Sequence, residues 1–198
     1  MKNNLIKPLA AVLLLATGLA ISTANASIIT YVATLNGANE SPPNASTGTG
    51  SAVVTFDTVL STMHVVVTFA GLTGVDTASH IHCCTATPLI STAGVATVTP
   101  SFTGFPTSVS SGSYDHTFDM SVITGSYNPA FVTANGGTAA SAFAVLLAGA
   151  ASGRAYLNIH SDTSPGGEIR GFLSVPEPAT LALFAMGVLS LGLRRRRA

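Results

Sequence analysis

The chain has 198 residues, of which 47% are hydrophobic and only 8% charged, with eight basic and eight acidic residues in formal balance. Six of the basic residues sit at the two ends, so the segment 27–174 keeps Arg154 and Arg170 against seven acids, a formal charge of −5. That sign excludes nucleic acid and anionic lipid headgroups as partners and leaves a cation, including a metal ion, as the charged partner that fits.

The N-terminus carries Lys2 and Lys7, then an apolar run over 9–21 broken only by Thr17 and Gly18, then Ala24-Asn25-Ala26. A positive start, a short apolar core and a small-x-small cleavage site predict a secretory signal peptide over 1–26, removed by signal peptidase. The run is shorter than the roughly 20 residues of a membrane span.

Residues 27–174 are enough for one domain with its own core. They are rich in Thr, Ser, Val, Ala and Gly and poor in the Lys, Glu and Gln that surface helices need, which favours β-structure. Alternating or β-branched runs predict strands over 28–35, 52–56, 64–69, 114–120, 155–160 and 168–173. Residues 139–150 are the best helical segment, although all-round apolarity and Gly149 leave a buried strand open. Short strands joined by Gly, Pro and Ser connections read as an antiparallel sandwich or barrel.

The sequence Ser79-His80-Ile81-His82-Cys83-Cys84 gathers two of the five histidines and both cysteines. On a strand, His80 and His82 share one face and Ile81 takes the other, so the two imidazoles can chelate one ion if a third ligand arrives from another strand. Export favours oxidation of Cys83 and Cys84. A disulfide between the neighbours is the leading reading; thiolate ligation and a bond to another chain stay open. His64 reads as structural and His116, beside Asp115 and Asp119, as exposed. Glu40, before Pro42-Pro43, reads as fixing a turn or strand end. No nucleophile triad spacing, phosphate loop or nucleotide fingerprint is present.

Further on, Arg154, Tyr156, Asn158 and His160 share one face of a strand and Leu157 with Ile159 the other. The turn-rich 161–167 returns the chain into 168–173. Pairing across that turn places His160 near Glu168 and Asn158 near Arg170, on one face.

The segments LNGANESPP (35–43), SHIHC (79–83) and GRAYLNIHSDTSPGGEIRGFL (153–173), in this order, resemble a CHRD domain, a module of bacterial exported proteins. The resemblance implies an all-β, immunoglobulin-like antiparallel β-sandwich similar to copper/zinc superoxide dismutase. It also singles out His160 as a third metal ligand beside His80 and His82, with copper or zinc as the ion. Glu168 and Asn158 are then expected to orient the ligands from behind. No His/Asp-rich loop for a second, zinc site is evident.

The C-terminus reads Pro176-Glu177-Pro178, an apolar stretch over 179–193, then Arg194, Arg195, Arg196 and Arg197. A helix over the apolar stretch reaches about 20–23 Å, a little short of the hydrocarbon core. The arginines are expected to stay cytoplasmic. The three-part order resembles the PEP-CTERM sorting signal. It implies an inner-membrane-tethered precursor, processing by an exosortase, and delivery to the cell surface or an extracellular polysaccharide matrix. The expected organisation is thus a signal peptide over 1–26, a domain over 27–174 and a sorting segment over 175–198. The favoured role is non-catalytic binding or structure at the surface; the rival is a copper or zinc metalloprotein, in one form a dismutase-like oxidoreductase.

Overall fold

Period-two burial organises the molecule. In the computed structural model, which describes residues 28–176, strands β1 (Ile28–Asn36), β2 (Thr49–Asp57) and β3 (Thr62–Ala70) alternate buried and open positions along their length. Tyr31, Ala33, Leu35, Val54, Phe56, Val65 and Val67 point inward, as β-branched and aromatic alternation requires. β4 (Asp76–His82), β5 (Gly112–Asp119), β6 (Tyr156–Ser161) and β7 (Ile169–Phe172) complete the strands. Two helices, α1 (Pro129–Ala134) and α2 (Ala139–Ala151), precede β6. The signal peptide over 1–26 and the apolar helix over 179–193 expected from the sequence lie outside the described residues.

The sheet order is β4-β6-β7-β1-β2-β3-β5, antiparallel throughout. β1, β2, β3 and β5 pair over nearly their full lengths, whereas β7 meets β1 only at Asn36↔Arg170, with an outlying bridge at Val32↔Ser174. That narrow seam lets the sheet curl into two wings around one core, a sandwich-like all-β fold. Ile81, Leu157, Ile159 and Ile169 from the short wing join the inward residues of the long wing in a single cluster. Helix α2 closes it, with Phe143 packing 6.0 Å from Phe56 between ring centroids. The helical reading of 139–150 therefore holds; a capping box between Thr138 and Ser141 starts it.

The short wing is covered on its second face too. Loops around 37–46, 89–101 and 161–167 lie over it, so β6 is buried almost throughout. The free edge of β4 is occupied by main chain from 94–108: Ala96 N–H donates to Ile81 O at 2.9 Å, and Phe102 N–H to Ser79 O at 2.8 Å. This leaves a polar face of the sheet enclosed rather than solvated.

Candidate metal centre

On β4 the strand parity places His80 and His82 opposite Ile81, which is fully buried in the core. β6 pairs with β4 so that His80 faces Asn158 and His160 faces Ala78. His160 therefore sits on the diagonal from His80, within reach of a long side chain. The three rings gather, with centroids 4.6 Å (His80–His82), 4.7 Å (His80–His160) and 5.9 Å (His82–His160) apart. They form the one group of three or more ligand-type side chains among the described residues, with ligand atoms all within 4.8 Å of one another.

Hydrogen bonds fix the tautomers. The Nδ1 atoms of His80, His82 and His160 lie 3.0, 2.8 and 2.9 Å from the carbonyl oxygens of Pro100, Ala93 and Pro165. A carbonyl only accepts, so each Nδ1 carries the proton and a neutral ring keeps a bare lone pair on Nε2. Yet Nε2 of His80 and Nε2 of His160 are 2.9 Å apart. His82 Nε2 is buried without a partner. Two facing lone pairs and an orphaned acceptor are costly in a buried site unless something positive lies between them. Nitrogens sharing one tetrahedral ion sit about 3.3 Å apart at bonds of about 2.0–2.1 Å, so small ring rotations bring this set onto an ion. The residues fit copper or zinc.

Burial is the main cause of the electrostatics. It pushes His80 down to about 3, with the neighbouring His82 and His160 adding and the Pro100 carbonyl resisting. It pushes His82 down to about 4, against the Ala93 carbonyl and helped by His160 and Arg170. His160 is lowered by burial as well. All three are held in the neutral form that binds metal.

The other expected site residues divide. Asn158 faces Arg170 in the predicted register, and Leu157 with Ile159 are fully buried on the opposite face. Glu168 stands opposite His160 by register, but its carboxylate turns away to accept from Ser46 Oγ and the N–H groups of Thr73 and Gly74. Backbone carbonyls do the orienting that the sequence suggested for it. Asn158 Oδ1 is buried without a partner, so it accepts a hydrogen bond from no histidine. The sulfurs of Cys83 and Cys84 are bonded to each other, ending β4 immediately after His82. His64 pairs with Asp115 at 2.7 Å on the open face; His116, expected to be exposed, is instead half-buried, in phase with Tyr114 and Phe118 and edge-on to the latter; both histidines lie apart from the cluster. Sequence reasoning missed the three carbonyls, which any residue supplies, and the burial of Glu40, which is 7% exposed. The sorting residues Glu177, Pro178 and Arg194 to Arg197 lie outside the described residues.

Comparison with known families matches the CHRD domain to residues 31–173 and the PEP-CTERM protein-sorting motif to residues 174–197. No curated protein and no solved structure matches the chain. The match covers most of the chain and every strand but the first residues of β1: this is a member of the CHRD domain family, exported and sorted through a C-terminal PEP-CTERM motif that an exosortase processes.

Proposed function

We propose that the domain is a surface metal-binding module that holds one copper or zinc ion through Nε2 of His80, His82 and His160. One observation carries the reading: three carbonyl-fixed imidazoles turn bare nitrogens toward one point, two of them 2.9 Å apart. Three imidazoles suit either metal. The sorting motif supports delivery to the cell surface, and the polysaccharide matrix is the setting we assign to it. The oxidoreductase form of the reading requires copper, because zinc has no redox chemistry.

The test is a titration of the metal-free domain with copper and with zinc, following the melting temperature. A ligand that binds only the folded state stabilises it by about 2.7 kcal/mol at a hundredfold excess over Kd. The midpoint should rise with metal, and His160→Ala should abolish the rise while His64→Ala leaves it intact. No shift with either metal, or an equal shift in His160→Ala, would return the cluster to a structural role. Metal content of protein purified from the periplasm then names the ion.

A further inference from the structure

His82 is one layer of a stack. Tyr156 lies parallel to it, with ring centroids 4.7 Å apart and planes inclined by 6°. The guanidinium carbon of Arg170 stands 4.7 Å from the centre of the Tyr156 ring. Register produces this: His82 is opposite Tyr156 across β4–β6, and Arg170 lies diagonal to Tyr156 across β6–β7.

The main chain of Ala93 ties the two rings together. Its carbonyl accepts from His82 Nδ1 at 2.8 Å, and its N–H donates to the Tyr156 hydroxyl at 3.3 Å. The outer end of the stack is also fixed. Arg170 is 3% exposed, donates from Nε to the Asn39 carbonyl and from Nη1 to the Ser91 carbonyl at 3.0 Å, and lies 3.8 Å from Glu40.

The three ligands are not held alike. All three have a carbonyl at Nδ1, and the bare Nε2 atoms of His80 and His160 face each other with no proton between them. His82 alone of the three lies face to face with a tyrosine ring, and its Nε2 is buried without a partner. One hydrogen bond leaves an imidazole free to turn about that bond, which swings Nε2 off the common point. A parallel aromatic plane at stacking distance removes that freedom.

We propose that Tyr156, backed by Arg170, is the positioning residue of the metal centre, fixing the plane of His82 so that its Nε2 meets those of His80 and His160. This rests on the metal reading. Tyr156 is not a ligand, since its hydroxyl is turned to Ala93. Groups of this kind behind a ligating histidine change metal affinity by about 10–100-fold.

The experiment titrates the metal-free domain with Cu²⁺ and records affinity and the electron paramagnetic resonance spectrum. It compares wild type with Tyr156→Met, which fills volume without a plane, and Tyr156→Phe, which keeps the plane. Tyr156→Met should weaken copper binding by about 10–100-fold and alter the spectrum, and Tyr156→Phe should restore both. A folded Tyr156→Met with wild-type affinity and spectrum overturns the positioning role alone. Wild type that takes up neither copper nor zinc overturns the metal reading and this role with it. Should Tyr156→Met fail to fold, proton NMR of wild type decides: the His82 ring protons, shifted upfield by the stacked tyrosine, must keep that shift when Zn²⁺ is added. Loss of the shift on zinc binding means that the ring leaves the stack to ligate, which also overturns the role.

Discussion

Glu40 is the acid whose surroundings suit its charge least. Burial pushes its carboxyl up to about 7, with Arg170 pulling it back down. Its Oε1 and the Oδ1 of Asn158 are both buried acceptors without partners, and a Cβ on Gly167 would stand 2.9 Å from each. Protonation removes the buried charge of Glu40 and turns one of its oxygens into a donor. The folded value lies above the ordinary 4.5, so this stabilisation is complete below about 4.5 and is lost as pH rises through about 7. The loss amounts to at most about 3 kcal/mol, since each tenfold change in proton affinity is worth about 1.36 kcal/mol. Glu40→Gln carries no such proton. Urea midpoints of wild type and variant between pH 4.5 and 8 should therefore diverge, wild type falling relative to the variant as pH rises. A constant difference across that range would mean that Glu40 is ionised throughout. None of this was legible in NESPP, where nothing marks the acid as enclosed. The histidines were legible because side-chain parity on a strand and pairing across a turn are set by counting. Their carbonyl partners were not, because Ala93, Pro100 and Pro165 offer only main chain.

Six of the seven strands could be read from alternation, and 139–150 from apolar length without turn residues. β4 was legible only through its histidines, since DTASHIH has no clean alternation. It is buried on both faces, and the covering segment 94–108 is held by main-chain bonds that leave no periodic pattern. The short helix α1 gave no periodicity to find; Asn128 capping it and Pro129 at its start are its only local signs. Helix α2 offers a test of packing against propensity. Ala exceeds Gly by about 1 kcal/mol in a helix interior, so Gly149→Ala should stabilise if propensity alone ruled. Instead a Cβ at 149 would land on the sulfurs of both Cys83 and Cys84. The expected outcome is a loss of about 1–3 kcal/mol, as for other overpacked sites, read from thermal or urea unfolding. Gly94→Ala, where a Cβ meets nothing within 4 Å, serves as the control and should be near neutral. A stabilised Gly149→Ala would show that the helix does not press on the cysteine pair.

For the whole molecule the first prediction is its mass. Protein extracted from the cell surface should lack residues 1–26 and the Arg194 to Arg197 cluster, and intact mass spectrometry reads both at once. Recovery of the four arginines in most of the material would make the tail a permanent anchor. The seam at Ser174 adds a geometric consequence. Ser174 and Val32 exchange both main-chain hydrogen bonds, at 2.8 and 3.0 Å, and the sorting motif begins at that same residue. Pro176 follows two residues later, a reach of at most about 7 Å. Val32 lies in the middle of β1, so the chain reaches the sorting motif beside the body of the sheet and not at its end. Phe172, two residues before Ser174, pairs with Tyr156, and Tyr156 faces His82 on the next strand. The cluster therefore begins near the exit point, with His82 two strands across from Phe172, and runs away from it along β6 to His160.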